Sequence, residues 1–363
     1  MKIVVFGLSI TSSWGNGHAT TYRGLVRELS RRGHDVLFLE RDVPWYAENR
    51  DLPRPPYGRT ELYGSVDEMQ RRFSREVRDA DLVVVGSFVP EGVVVGEWVF
   101  ETTRGLPAFY DIDTPVTLGK LGRGDFEYLA PHLIPQYRIY LSFTGGPLLA
   151  YIETHYGSPM ARVLYCSVDP QLYYPEPLPH RWDLGYLGTY ADDRQRFLDC
   201  LLMEPARRWR EGRFIVAGPL YPPTIEWPDN VERLDHLAPS DHRAFYNAQR
   251  VTLNLTRGEM KSAGYSPSVR LFEAAACGAA IVSDYWRGLE GLFEIGREIL
   301  VAGSPEEILR LLRETSPDEI ARLGQRVRER VQAEHTAAQR ALQLESYYND
   351  AVRNQTRAGN VLP

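Results

Sequence analysis

The residues best suited to chemistry cluster between positions 254 and 279, in the second half of the chain. This segment reads NLTRGEMKSAGYSPSVRLFEAAACGA, in which a strand ends, a glycine-containing loop follows and a helix begins. We expect the helix to span about Pro267–Ala276, with Ser266 as its N-cap and Gly278 as its stop. Its first turn would offer N–H groups and partial positive charge, which suit a phosphate. Three basic side chains add charge of the right sign for a diphosphate: Arg257, Lys261 and Arg270.

One carboxylate, Glu273, lies inside this helix, about two turns from its start. The surrounding residues are Leu271, Phe272 and the run AAAC at 274–277, so the helix is apolar nearly all round. A charged group in such surroundings needs a polar partner. Two ribose hydroxyls could donate hydrogen bonds to it. The alternative, an ordinary surface carboxylate, is disfavoured by the apolar neighbours.

The loop after the first predicted strand reads GLSITSSWGNGH over residues 7–18. Its glycines let a ligand approach the backbone closely, and its hydroxyl and amide groups suit a sugar. The residues expected to contact the acceptor or its sugar here are Ser13, Trp14, Asn16 and Gly17. His18 lies near the start of the next helix and is the first candidate for a catalytic base. The alternative for this histidine is a capping or packing role.

Two carboxylates follow a later apolar strand, in the segment PAFYDIDTP. Asp113 is the second candidate for the base, and Asp111 is expected to bind acceptor hydroxyls. Oxygen ligands at this spacing also suit a divalent metal, and the Asp-Thr-Pro sequence is a turn signal. We expect a role in the ligand cleft and no bound metal.

Weaker signals stand at two strand ends in the second half. Gly188 and Thr189 follow a predicted strand at Asp183–Leu187, and Gly218 follows another at Arg213–Ala217. Backbone without side chains at such positions can approach a base or a phosphate. We therefore include these three residues among the expected donor contacts.

Short apolar, β-branched runs alternate with amphipathic stretches along the chain, which is typical of βαβ units and parallel sheets. A tract rich in proline and aromatic residues, 170–182, interrupts the alternation and is interpreted as a linker. We predict doubly wound α/β domains at 1–169 and 183–334, and a C-terminal helix and tail at 335–363 that pack back on the first domain. Ligands of such sheets bind outside the carboxyl ends of the strands, so two facing domains would place a cleft between them.

Composition excludes several classes of protein. The 363 residues are 43% hydrophobic and 25% charged, which is ordinary for a globular chain and excludes a disordered or fibrous one. The net charge of −6 gives no overall basic field for duplex nucleic acid or an anionic membrane. Three cysteines without CxxC spacing predict neither a disulfide framework nor a structural zinc site. With no apolar run of about 20 residues, no membrane span is expected, and we predict a reducing, cytoplasmic location.

Two stretches, PSVRLFEAAACGAAIVSD and GLEGLFEIGREILVA, resemble the donor-binding signature of GT-B glycosyltransferases, and more narrowly the CgeB-like spore-maturation branch. The resemblance is specific over residues 250–303. It implies two Rossmann-like domains, with a nucleotide-sugar donor held mainly by the second and the acceptor by the first. It also implies that Glu273 binds the donor ribose and that Ser268 and Val269 lie near the diphosphate. Many retaining members carry a second glutamate at the position of Tyr265, so this chain departs from their pattern.

The resulting prediction is a hexosyltransferase that moves a sugar from a nucleoside-diphosphate sugar, most simply a UDP-sugar, to an acceptor. No metal and no cofactor are expected. One rival is a metal-dependent GT-A transferase that uses Asp111 and Asp113. Others are a sugar-nucleotide 2-epimerase of the same fold and a nucleotide-sugar-binding protein without catalysis. The sequence leaves the acceptor and the oligomeric state open.

Overall fold

The computed structural model describes residues 1–14 and 17–359, and the chain divides into two compact units. Unit 1 comprises Met1–Cys166 together with the segment from Ala337 onward, and unit 2 comprises Ser167–Thr336. Each unit contains its own parallel sheet flanked by helices. The expected α/β class is therefore confirmed for both halves.

Unit 1 has a seven-stranded sheet in the order β3-β2-β1-β4-β5-β6-β7, with every neighbouring pair parallel. The strands are β1 (Lys2–Gly7), β2 (Asp35–Arg41), β3 (Arg59–Tyr63), β4 (Leu82–Gly86), β5 (Leu106–Asp111), β6 (Ile139–Ser142) and β7 (Ala161–Val163). The connecting helices are α1 (His18–Arg31), α2 (Pro44–Ala47), α3 (Val66–Arg78), α4 (Gly92–Thr102), α5 (Thr114–Gly122) and α6 (Pro147–Tyr156). Central strands such as LVVVG of β4 are wholly buried because helices cover both faces of the sheet.

Unit 2 has a six-stranded parallel sheet in the order β10-β9-β8-β11-β12-β13. Its strands are β8 (Trp182–Leu187), β9 (Phe214–Ala217), β10 (Val231–Leu234), β11 (Gln249–Asn254), β12 (Ala280–Ser283) and β13 (Leu300–Val301). Its helices are α7 (Asp192–Leu198), α8 (Glu204–Arg208), α9 (Pro239–Asn247), α10 (Gly258–Ala263), α11 (Val269–Ala276), α12 (Pro305–Glu314) and α13 (Pro317–Glu334). A π-helical turn at Asp199–Met203 joins α7 to α8, so residues 192–208 form one continuous helical stretch.

The last helix, α14 (Ala337–Gly359), belongs to unit 1 and packs on α1. Its Glu345 accepts hydrogen bonds from Arg32 and His34 at 2.6 and 2.7 Å. The Arg32 guanidinium lowers the pKa of the Glu345 carboxyl to about 2, so this anchor stays charged at neutral pH. Charged hydrogen bonds of this kind are among the stronger ones in proteins.

Helix α11 begins later than the sequence predicts. Its N-cap is Ser268, and its first residue is Val269 rather than Pro267. Ser266 cannot cap it because its buried hydroxyl lies 3.1 Å from the sulfur of Met260. The stop is confirmed, since Gly278 follows the helix with a φ of +74°.

Over residues 1–14 and 17–359, no helix combines the length and the apolarity that crossing a bilayer would require.

Candidate active site

Both sheets reverse their strand order at one point, between β1 and β4 in unit 1 and between β8 and β11 in unit 2. Ligands of doubly wound sheets bind outside the carboxyl ends of the strands at such points. The residues singled out from the sequence follow strands at or beside these two points. Each unit therefore offers one candidate half-site.

In unit 1, His18 and Asp113 lie together although 95 residues separate them in the chain. His18 is the first residue of α1, and its Nε2 is 3.3 Å from Oδ2 of Asp113, the residue before α5. The imidazole is 7% exposed and packs edge-on against Phe88, which follows β4. Its Nδ1 has no hydrogen-bond partner among the residues that the structure describes.

This pairing is suited to proton transfer. With the proton on Nε2, the imidazole donates to Asp113, and the lone pair of Nδ1 is left to accept a proton. The carboxylate fixes the ring orientation and stabilises the imidazolium that forms. Asp113 is thus placed to orient the histidine, rather than to stand as an independent second base.

Asp111 does not fit the predicted contact with acceptor hydroxyls. Its carboxylate is fully buried, and it accepts hydrogen bonds from Thr117 Oγ1 at 2.6 Å and from Tyr140 OH at 2.5 Å. Burial raises its pKa to about 6, with these two hydrogen bonds opposing that effect. Asp111 is a structural carboxylate behind the site, which also leaves no exposed aspartate pair for a GT-A metal.

The raised pKa of Asp111 predicts a specific pH dependence of stability. Between about pH 4 and 6 the folded state keeps a proton that the unfolded state has lost, so this group's contribution to stability falls as pH rises. Asp111→Asn should remove this loss and raise the unfolding free energy of unit 1 by at most about 2 kcal/mol at pH 7.5, relative to pH 4.5. Urea unfolding at both pH values measures it, with exposed Asp35→Asn as control. Equal effects at both pH values would contradict the prediction.

The loop after β1 is held by a carboxylate that the sequence analysis missed, Glu40 at the end of β2. It is fully buried and accepts hydrogen bonds from the hydroxyl of Ser9, the backbone of Ile10, and both backbone and hydroxyl of Thr11. The only sequence signal was an acidic residue ending an apolar strand. Glu40 fixes the start of the loop that leads to His18.

Of the predicted acceptor contacts in this loop, Ser13 is tied to Asp51 through both its backbone and its hydroxyl, at 2.8 and 2.9 Å. The backbone of Trp14 donates to the hydroxyl of Ser12 at 3.3 Å. Gly17 is exposed and precedes α1 as its N-cap. Asn16 lies outside the described residues. Gly17 and Trp14 therefore remain the better placed candidates here.

In unit 2, Glu273 is 3% exposed. Its carboxylate lies on an apolar helix, and it has the polar partners that a buried charge requires. Tyr246 OH donates to its Oε2 at 3.3 Å, and His242 Nδ1 lies 3.7 Å away. Burial, and then the charge of Glu273, raise the pKa of the Tyr173 hydroxyl. Phenol and imidazole groups therefore lie around the Glu273 carboxylate.

The three predicted diphosphate ligands differ in how they are held. Lys261 donates to the buried Asp284 at 3.0 Å. Arg270 donates to the carbonyl of Leu187 and, at 3.0 Å, to Oδ1 of Asn254. Arg257, next to α10, is about half exposed, and its nearest carboxylate is 3.9 Å away. Lys261 and Arg270 are thus hydrogen-bonded within unit 2, whereas Arg257 is more available to a ligand.

The start of α11 is organised by Asn254, the last residue of β11. Its Oδ1 accepts from the hydroxyl of Ser268 at 2.9 Å, and its Nδ2 donates to Ser283 at 2.9 Å. Val269, half-buried, opens the helix immediately after this contact. Asn254 lies in the cluster at 254–279, but its role could not be predicted, because an amide ending a strand has no specific sequence signal.

Gly188 and Gly218 are required by the close approach of two backbones. Gly218 has a φ of +139°, and a Cβ there would lie 2.1 Å from the carbonyl oxygen of Gly188. The carbonyl of the next residue, Thr189, accepts from Arg194 at 2.5 Å. These glycines bring the ends of β8 and β9 together.

Arg194 is the basic residue that the sequence analysis left out of the site. It lies in the first turn of α7, directly after β8, and its Nε has no hydrogen-bond partner within residues 1–14 and 17–359. Burial lowers the pKa of its guanidinium, and the nearby charges of Arg270 and Arg257 add to this effect. Arg194 thus adds positive charge, with a buried and unpaired donor among the described residues, at the end of β8.

Within the described parts of the chain, no group of three or more histidine, cysteine, aspartate or glutamate side chains could hold a metal ion.

Residues 194–346 match a family model described as glycosyl transferase-like. No curated protein sequence shows significant similarity to the chain. Sucrose-phosphate synthase from Thermosynechococcus elongatus superposes with a TM-score of 0.72 at 15% identity, covering 97% of this chain and 99% of that one. HepE of Anabaena in complex with UDP and glucose superposes with a TM-score of 0.71 at 14% identity, covering 96% and 100%. An α-glucosyltransferase in complex with UDP and DNA gives 0.69 at 10% identity, covering 96% and 99%.

These solved structures are GT-B glycosyltransferases, and each aligns over nearly its whole length with both units of this chain. The matched family segment covers most of unit 2 and the first part of α14. Residues 194–346 are therefore similar to a glycosyl transferase-like family, and the chain as a whole has the GT-B fold.

Proposed function

We propose that the protein transfers a sugar from a UDP-sugar to a hydroxyl group of an acceptor, without a metal ion. The observation that carries this proposal is the pairing of His18 with Asp113 at 3.3 Å, at the carboxyl edge of the sheet of unit 1. A buried imidazole held by a carboxylate is a suitable base for an acceptor hydroxyl. UDP as the donor nucleotide is supported by the UDP complexes of HepE and of the α-glucosyltransferase.

On the donor side, the diphosphate is assigned to Arg194, Arg257 and the first turn of α11. All three supply positive charge or N–H donors at the end of β8 or β11. Such groups stabilise the negative charge that develops on the departing diphosphate. They can replace the metal ion of other transferases, which is why we propose metal independence. Glu273 is assigned to the ribose hydroxyls.

On the acceptor side, His18 removes the proton of the attacking hydroxyl while Asp113 keeps the ring oriented. The CgeB-like affiliation and the cytoplasmic location remain part of the proposal. The solved structures carry different molecules beside UDP, glucose in one and DNA with a modified base in another. The acceptor is therefore defined here only by its reacting hydroxyl.

The test of the donor assignment is a thermal-shift comparison of UDP with uridine. A ligand that binds only the folded state raises the melting temperature, and we expect UDP to do so more than uridine. Arg194→Met should weaken UDP binding about 10–100-fold, which is the loss of one charged hydrogen bond of about 1.5–3 kcal/mol, and leave uridine unaffected. Arg207→Met, exposed on α8, is the matched control.

Equal shifts with UDP and uridine in the wild-type protein would argue against a diphosphate site. If UDP raised the melting temperature equally in the wild type and in Arg194→Met, Arg194 would not belong to the diphosphate site. A chelator added to a transfer assay tests the metal proposal, because activity lost with chelator and restored by manganese would contradict it. Product formation from the UDP-sugar without any acceptor would favour the epimerase instead.

A further inference from the structure

We infer that unit 2 has a second ligand site, on the edge of its sheet opposite to the donor half-site, for a small organic carboxylate with an apolar body. A cavity of about 450 Å³ lies there, between the segment 175–180, the end of α9, the starts of β11 and β12, and helix α13. Cavities of this size are typical of sites for small molecules. The residues assigned to the donor do not line this cavity, although Tyr246, which lines it, also donates a hydrogen bond to Glu273.

The position of the cavity follows from strand direction. Gln249 and Ala280 are the first residues of β11 and β12, and both line it. The donor half-site uses Asn254 and the loops beyond the other ends of the same strands. The strands therefore separate the two sites, and a ligand in one cannot occupy the other.

Part of the cavity wall is apolar. It includes six residues: Pro175, Leu178, Ala279, Pro317, Ile320 and Ala321. Ala279 and Ile320 are buried at 6% and 5% exposure, whereas Ala321 is exposed at the rim. Apolar walls of this kind favour a ligand with a hydrocarbon or aromatic body.

Arg328 of α13 supplies the charge that selects the ligand. Its Nε is buried and has no hydrogen-bond partner in the part of the chain that the structure describes. A buried donor left without an acceptor is unfavourable. Arg328 lines the cavity, and a ligand carboxylate would match its guanidinium in charge and geometry.

The other charged groups that face the cavity leave it positive. Arg250 donates to the carbonyls of Leu312 and Thr315, which are neutral acceptors and leave its charge in place. Glu176 is paired with Arg243 at 3.1 Å. Burial, with the charge of Arg250, lowers the pKa of His180. The charge of Arg328 beside an apolar wall suits a monocarboxylate with an apolar body better than phosphate or a polyanion.

The test uses benzoate as the probe, with benzamide as its uncharged counterpart, measured by ligand-observed NMR on the full chain. We expect benzoate to bind at least tenfold more tightly than benzamide. Arg328→Met keeps the aliphatic stem but removes the charge, and should weaken benzoate at least tenfold. Ala321→Phe, at the exposed rim, should block the cavity. Arg322→Met, exposed on the same helix and outside the cavity, is the matched control.

Melting temperatures of all variants verify folding before binding is compared. Benzoate binding should persist with saturating UDP, since the two sites are separate. The inference is overturned if benzamide binds as tightly as benzoate, or if Arg328→Met or Ala321→Phe leaves benzoate binding unchanged. It is also overturned if neither probe binds, if UDP displaces benzoate, or if inorganic phosphate binds as tightly as benzoate.

Discussion

Replacing His18 by alanine is expected to lower kcat for sugar transfer by about 10²–10⁴-fold, which is the usual contribution of a positioned base. The dissociation constant for UDP should stay unchanged, because the residues assigned to the donor lie in unit 2. The physical reason is the geometry of the ring: Asp113 holds Nε2 at 3.3 Å, and Nδ1 is left to accept the hydroxyl proton. Steady-state kinetics and UDP titration together measure the effect.

His132→Ala is the matched control for this experiment. That histidine is in the same unit, its side chain is about 59% exposed, and its contact with Glu97 at 3.1 Å lies at the surface. It should leave kcat within twofold of the wild type. Asp113→Asn tests the orientation of the ring separately and should lower kcat without changing UDP affinity. A His18→Ala enzyme with near wild-type kcat would remove this residue from the mechanism.

The second large effect is expected from Glu273. Glu273→Gln should weaken UDP binding about 10–100-fold, equivalent to about 1.5–3 kcal/mol for hydrogen bonds to a charged group. The sharper readout is the ratio of affinities for UDP and its 2′,3′-dideoxy analogue. The wild type should prefer UDP strongly because the carboxylate accepts from the ribose hydroxyls. In Glu273→Gln the ratio of the two affinities should fall towards one.

Tyr246→Phe is the control that separates ribose binding from support of the helix. It removes the hydrogen bond that Glu273 accepts at 3.3 Å but leaves the carboxylate in place. The preference for ribose hydroxyls should therefore survive, even if the melting temperature drops. If Glu273→Gln kept the full preference, or if Tyr246→Phe lost it equally, the assignment to ribose would be wrong.

The elements that the sequence predicts best are those with a strong local reason. The buried run of β4 and the capping serines are examples: Ser304 and Ser316 accept hydrogen bonds from the backbone of Glu307 and Glu319, each at 3.2 Å. Strands with a weak sequence signal are short or lie at sheet edges. β3 and β10, for instance, read RTELY and VERL, and partial exposure at an edge removes the apolar run that marks a central strand.

For the candidate site, the sequence predicts only which loops lie close together. Parallel strand order brings the ends of β1 and β5 to one edge, so His18 and Asp113 could be nominated from the sequence. The internal partners could not. Whether a carboxylate faces the ligand or is turned inward, as Asp111 is, depends on side-chain packing that no spacing encodes. The same holds for Lys261, whose partner Asp284 follows a different strand.

Unit 2 is an insertion within unit 1, and its two ends are paired with each other: the backbone of Val168 donates to the carbonyl of His335 at 3.2 Å. This has a consequence for synthesis on the ribosome, where domains fold as units while the chain emerges. All of unit 2 is made before α14, which packs on α1 so closely that a Cβ on Gly24 would lie 3.0 Å from Ala337. Folding of unit 1 therefore cannot be completed, and that face of α1 stays uncovered, until the whole of unit 2 has been translated.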